Sequence, residues 1–299
     1  MSIHYSKEVA AAIAAGSPIV ALESTIISHG LPRPSNLTVA QEVEEIVRAH
    51  GATPATIAIL DGVVHIGLEA DQLVAIANRD DISKASTRDL AVFSALKTSA
   101  ATTVAATSHL ASLAGIKVFA TGGLGGVHRG ASESFDESAD LGALGKLDIA
   151  IVCAGVKSIL DVSATLERLE SLSIGLVGYK TNAFPGFYLT DSGFTLEHRV
   201  ESAEEIAAII KARRDIKTDS TALVIANPVK DEMDRTRHDA ILASGLAGAQ
   251  AQGVTGKAVT PFLLEHFHTA SHGESLKVNI EIIKSNSALA ADIAVALHR

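Results

Sequence analysis

Tryptophan is absent from the 299-residue chain, aromatic residues make up only 4% of it, and cysteine occurs once, at Cys153. A single cysteine excludes an internal disulfide framework and any paired-cysteine metal site. Cys153 lies within an apolar run and reads as an inert core thiol. No run of five or more basic residues interrupts the net charge of −9, which argues against nucleic acid as a partner. A phosphorylated ligand therefore needs a local cationic pocket. No apolar stretch reaches the length that spans a membrane. Residues 1–20 place Lys7 and Glu8 in an amphipathic pattern without a signal-peptide core. The expectation is a soluble, cytoplasmic protein with no membrane partner. Low-complexity segments, linkers rich in Pro, Gly or Ser, and solenoid-period repeats are also missing.

What is present is a chain able to bury a large core, 47% hydrophobic and 20% charged, with much of the apolar share supplied by alanine and glycine. The length allows one large domain or two small ones. Apolar runs at Pro18–Leu22, Ala55–Leu60, Ile116–Ala120, Asp148–Cys153, Ile174–Val177 and Ala222–Ala226 read as core strands. Helical patterns cover His4–Ala15, Leu37–His50, Ala70–Asn78, Thr87–Lys97, Ser108–Ala114, Ser158–Leu172, Ser202–Arg213, Thr236–Gln252 and Leu276–His298. This alternation is the signature of a layered α/β fold. Asp61-Gly62 between two apolar runs predicts a hairpin, and with it a mixed sheet.

Lys157 stands out because it follows a buried strand that ends in Gly155 and opens the predicted helix Ser158–Leu172. Burial and the positive end of a helix dipole both disfavour an ammonium there. A neutral lysine is an amine nucleophile able to form a Schiff base with a sugar carbonyl. The same pattern also fits a solvated lysine whose stem snorkels out of the first turn. Glu23 ends the first core strand, where α/β sheets bind ligands. It is read either as a general acid of raised pKa or as a solvated strand-end carboxylate.

Gly122, Gly123, Gly125, Gly126 and Gly130 form a loop that also carries His128 and Arg129. Such a loop suits close approach of backbone N–H groups to a phosphate. It is neither a Walker A loop nor the dinucleotide fingerprint, since His128 stands where the third glycine belongs. Asp136 and Asp140 share a face if Phe135–Leu144 is helical, and with Ser134 and Ser138 they form an all-oxygen donor set suited to Mg or Mn. Helix capping by Asp136 accounts for the same pattern. Lys84 and Arg88 form a candidate phosphate cluster, and Thr102-Thr103-Val104 is a candidate source of backbone donors. His266, His268 and His272 lack the spacing of a zinc site.

Long runs of the sequence resemble the pseudouridine-5′-phosphate glycosidase family, related to indigoidine synthase A-like proteins. The runs are Val20–Gly30, Pro54–Ala58, Phe119–Gly130, Val152–Asp161 and Thr260–Leu264. The resemblance implies a single domain over residues 1–299, a three-layer α/β/α fold with a mixed, mostly parallel sheet, and a homotrimer. It implies reversible cleavage of pseudouridine 5′-phosphate to uracil and D-ribose 5-phosphate. Lys157 would be the Schiff-base nucleophile, Glu23 the proton donor and Asp136 a ligand of Mn²⁺ or another divalent ion. Lys84, Val104, His128, Ser138, Ala139 and Asp140 would meet the substrate, and Asn279 would lie near the pyrimidine. Two segments, Pro228–Met233 and Lys180–Ala183, depart from the family pattern. Two rival readings are another phosphorylated C-glycoside as substrate and a catalytically silent sugar-phosphate binder.

Overall fold

A computed structural model of the chain describes residues 3–255 and 258–299. The strands are β1 (Ile3–Tyr5), β2 (Ile19–Glu23), β3 (Thr53–Leu60), β4 (Val63–Ile66), β5 (Ser83–Ala85) and β6 (Ala100–Thr102). They continue with β7 (Val118–Ala120), β8 (Ala150–Cys153), β9 (Gly175–Tyr179), β10 (Arg199–Val200) and β11 (Leu223–Ala226). One sheet joins them in the order β1-β4-β3-β2-β7-β8-β11-β9-β10, with β6 paired to β3 and β5 to β6 off that path. All pairings are parallel except β3 with β4 and β3 with β6. The predicted hairpin is present. Asp61 and Gly62 take φ of 49° and 82°, the two left-handed positions of a type I′ turn.

The helices are α1 (Lys7–Ala15), α2 (Ser35–Ala49), α3 (Ala70–Asn78), α4 (Leu90–Leu96), α5 (Val104–Leu113) and α6 (Ala131–Ser134). After them come α7 (Ala139–Leu144), α8 (Val162–Ser171), α9 (Ala203–Asp215), α10 (Arg235–Ala251), α11 (Val259–Ala270) and α12 (Glu274–His298). Strand side chains alternate between two cores. Val20, Leu22, Val152, Leu223 and Ile225 pack under α2, α9 and α12. Ala21, Ile151, Cys153, Val224 and Ala226 pack on the other side, with Leu110 of α5, Leu141 of α7 and Leu169 of α8. Central strands buried on both faces explain why they read as continuous apolar runs. The result is the expected α/β/α sandwich.

Three local expectations are corrected. The predicted helix His4–Ala15 begins at Lys7, because Ser6 caps it by accepting from Val9 N and Ile3–Tyr5 pairs with β4. The predicted helix Ser158–Leu172 begins at Val162, where Asp161 accepts from Ala164 N as its N-cap. Lys157 thus sits in the turn before the helix rather than in its first turn. The Phe135–Leu144 helix is interrupted, since Phe135 takes a left-handed φ of 54° and α7 starts only at Ala139.

Cys153 is fully buried, and burial pushes its thiol up to about 12. Thiolate, the reactive form, is scarce at such a site. Thiol reagents at pH 8 are expected to spare the native protein and to label Cys153 after unfolding, which mass spectrometry of the two samples checks.

Candidate active site

Strands β2, β7 and β8 lie side by side and parallel, with Leu22 level with Ala120 and Ala120 level with Val152. Their carboxyl ends therefore open at one place, where α/β sheets take ligands. Glu23 is the last residue of β2, the glycine loop leaves β7, and the turn holding Lys157 leaves β8. The off-path pair β5 and β6 adds Lys84 and, one residue before α5, Thr103. Thr25 Oγ1 donates to Thr102 O at 2.8 Å and ties this flank to the end of β2.

Between these elements is a cavity of about 310 Å³, lined by Glu23, Lys84, Val104, His128, Asp136, Ser138, Ala139, Asp140 and Lys157. Every site residue that the resemblance implies is brought to this wall except Asn279. That residue lines a smaller adjoining space of about 50 Å³ with Gly122, Gly123, Phe187 and Leu264. Glu23, Lys84 and Lys157 border both spaces.

The Glu23 carboxyl is pushed above its ordinary value, chiefly by burial and further by Asp140. Lys157, the Thr121 hydroxyl and Lys84 pull it back down without cancelling that effect. Thr121 Oγ1 donates to Glu23 Oε1 in a short hydrogen bond. A carboxyl held above the ordinary range within electrostatic reach of a lysine has the chemistry to give up a proton.

Four N–H groups of the glycine loop bond within the protein: Leu124 N to Gly155 O, Gly125 N to Asp140 Oδ2, Val127 N to Thr165 Oγ1 and His128 N to Asp136 O. The glycines serve close packing. A Cβ on Gly125 would stand 2.2 Å from Ser138 Oγ, and one on Gly123 2.6 Å from the Phe187 ring. Asp140 is a clamp, accepting from Ala105 N and Gly125 N at 2.9 Å each. It pins the loop to the start of α5 while still reaching the cavity wall. Asp136 does not share a helix with it. Asp136 Oδ2 lies 3.8 Å from His128 Nδ1. Among the described residues no three His, Cys, Asp or Glu side chains group to hold a metal. His266 is engaged with Ser244 Oγ at 2.8 Å.

Sequence reasoning missed Thr121, which orients Glu23, and Asn286 on α12. The Asn286 Nδ2 donates to Thr121 O at 2.7 Å, and its Oδ1 accepts from Asn227 Nδ2 at 2.9 Å. Asn286 is 1% exposed, so replacing it with alanine removes the donor to the Thr121 carbonyl and leaves the Asn227 amide with Ser285 Oγ alone. The cost expected for Asn286→Ala is about 2–4 kcal/mol, read from the denaturation midpoint.

Several known proteins are similar to this chain in sequence and in fold. Pseudouridine-5′-phosphate glycosidase of Salinispora tropica is 57% identical over 98% of this chain and 91% of its own. The indigoidine synthase A-like protein of Thermotoga maritima superposes with a TM-score of 0.90 at 36% identity, covering 100% of this chain and 97% of that one. The prealnumycin C-glycosynthase AlnA, solved with ribulose 5-phosphate, gives 0.91 at 32% identity over the same shares. Residues 8–296, from α1 to the last turn of α12, match the family described as Indigoidine synthase A like protein, and the chain belongs to that family.

Proposed function

We propose that this protein is an enzyme that reversibly cleaves the carbon–carbon glycosidic bond of pseudouridine 5′-phosphate, giving uracil and D-ribose 5-phosphate. The observation that carries the reading is the meeting of Glu23 and Lys157 at one cavity, from the ends of two strands that flank β7. Relatives that are 50–57% identical carry the name pseudouridine-5′-phosphate glycosidase, which supports the same reaction here.

The chemistry requires both groups. In cleavage, Lys157 Nζ bonds to C1′ as the ribose ring opens at O4′. The nitrogen lone pair then forms an iminium while the C1′–C5 electron pair stays with uracil. Glu23 supplies the proton that C5 takes up, and water hydrolyses the iminium to free the lysine. The sum is substrate plus water going to uracil plus ribose 5-phosphate. Uracil is a poor carbanion without such an electron sink, which is why paired carboxylates alone do not suffice.

The phosphate fits the flank built by Lys84, Arg88, Ser86 and Thr103, which lines the larger cavity. Thr103 Oγ1 is buried without a hydrogen-bond partner, and α5 begins at the next residue. Helix N-termini favour anions, and these cations supply the local positive site that a net charge of −9 otherwise denies. The pyrimidine fits the smaller space between Phe187 and Asn279.

Asp136 offers a partly exposed, hard oxygen donor suited to Mn²⁺ with waters completing the shell. A bound Mn²⁺ would polarise sugar hydroxyls through those waters. Asp136→Asn is expected to weaken Mn²⁺ binding roughly 10–100-fold, as measured by water-proton relaxation of the ion. The reading also includes a homotrimer, which light scattering measures, and a cytoplasmic location.

The test mixes protein, ribose 5-phosphate, uracil and Mn²⁺ with and without borohydride. A ribose-phosphate adduct on Lys157 and formation of pseudouridine 5′-phosphate establish mechanism and reaction together. An adduct without that product moves the carbon acceptor elsewhere, the direction in which the AlnA likeness points. Product without an adduct removes the Schiff base, and neither result with folded protein removes the enzyme reading.

A further inference from the structure

Behind the lysine lies a chain of polar side chains that the proposed reaction does not use. His238 sits on the first turn of α10 and is 2% exposed. Its Nδ1 lies 2.9 Å from Asp239 Oδ1 and its Nε2 2.8 Å from Ser158 Oγ. A carboxylate only accepts, so in the neutral ring Nδ1 carries the proton. Nε2 is then the acceptor, and the Ser158 hydroxyl donates to it.

Carboxylate, imidazole and hydroxyl in this order are the parts of a serine hydrolase. Ser158 does not serve as one. It is 7% exposed and belongs to the lining of neither site cavity, so no acyl group can reach it. Its relevant neighbour is the residue it is bonded to, Lys157.

The turn carrying both residues is tied in front to the glycine loop. Leu124 N donates to Gly155 O at 2.9 Å, Lys157 N to Leu124 O at 3.3 Å and Asp161 N to Val127 O at 2.9 Å. Behind, Arg129 Nη2 donates to Ser158 O at 3.3 Å, and the Ser158 side chain holds on to α10 through His238. The rings of Phe267 and Tyr188, with centroids 5.3 and 6.3 Å from that of His238, box the imidazole in place.

We propose that His238 is a positioning residue which, through Ser158, fixes the backbone from which the Lys157 amine reaches the sugar carbon. This rests on the reading of Lys157 as the nucleophile. A lysine swings on a long flexible stem, so its aim depends on how firmly its Cα is held. A misplacement of about 1 Å at a reacting centre costs on the order of 100-fold in rate.

The test compares wild type with His238→Leu, which fills space without an acceptor, His238→Gln, which restores an acceptor oxygen, and Ser158→Ala. The readouts are the rate of borohydride-trapped ribose 5-phosphate adduct on Lys157 and the sugar-phosphate concentration at half saturation. Both are expressed per folded molecule. His238→Leu and Ser158→Ala are each expected to slow trapping roughly 10–100-fold, with half saturation within about twofold of wild type. His238→Gln is expected to recover most of the rate, and the double variant Ser158→Ala/His238→Leu to lose no more than either single one.

Unchanged trapping in His238→Leu or in Ser158→Ala makes the pair plain core packing and overturns the proposal. So does a shift in half saturation with no change in rate. If His238→Leu does not fold, Ser158→Ala and His238→Gln decide the matter alone. A wild type that traps on Lys157 beside unaltered variants removes the positioning role only. A wild type that never traps removes the Schiff-base reading and this proposal with it.

Discussion

Lys157→Ala is expected to lower turnover of pseudouridine 5′-phosphate by roughly 10⁴-fold or more while leaving the protein folded, because it deletes the group proposed to form the covalent intermediate. The fold has little stake in that amine. Lys157 is only partly buried, and the turn around it is held by backbone hydrogen bonds that alanine keeps. Circular dichroism should therefore match wild type while single-turnover product formation disappears. Lys157→Arg makes a sharper comparison. It keeps most of the volume, but a guanidinium stays protonated and forms no iminium. Activity retained by either variant would sink the Schiff-base assignment, whatever the substrate.

Glu23→Gln carries the second large effect, and its two consequences have opposite sign. Removing a general acid is expected to cost roughly 10²–10⁴-fold in the bond-breaking step. Stability should move the other way. Burial raises the Glu23 carboxyl above its ordinary 4.5, outweighing the pull of Lys157, Thr121 and Lys84. A carboxyl raised by folding favours the native state fully only below its unfolded value, and that contribution is lost as pH climbs through the native value. At pH 7–8 wild type therefore bears a cost that the amide does not. The melting temperature of Glu23→Gln is expected to exceed that of wild type there, with the gap closing toward pH 4.5. The same ionisation limits catalysis, so the cleavage rate should fall on the alkaline side as Glu23 loses its proton. A melting temperature gap that is flat with pH would show that Glu23 does not titrate above its ordinary range.

Much of this molecule was legible in the sequence because its central strands are buried on both sides. Runs such as Ile149–Cys153 and Ala222–Ala226 have no polar face to confuse them, and Asp61-Gly62 marks its turn by chemistry alone. Glu23 and Lys157 were legible as strand-end residues. Their meeting was not, because it depends on β7 inserting between β2 and β8, a matter of sheet order rather than local pattern. Thr121 and Asn286 were missed for a related reason. Their partners lie 98 and 165 residues away, and a threonine after a strand or an asparagine within a helix carries no local sign of them. The start of α8 lies at Val162, where Asp161 caps it, rather than at Ser158. Ser158-Ile-Leu continues the apolar spacing of the helix back into the turn. The glycine loop has a second use that the sequence pattern does not reveal. Glycines do admit close approach, and here what approaches is the protein itself: Ser138, Asp140, Thr165 and Phe187.

Helix α12 sets the order in which this site can come into being. It brings Asn279 to the smaller cavity and Asn286 to the carbonyl of Thr121, and it packs against α2 and α9 on the same face of the sheet. Everything else at the cavity, from Glu23 to Lys157, is synthesised earlier. A nascent chain that has emerged only through β11 thus holds both reacting groups without the side chain that steadies Thr121 or the asparagine beside the base space. A chain cut before residue 279 is therefore expected to keep Glu23 and Lys157 but to lack both asparagines.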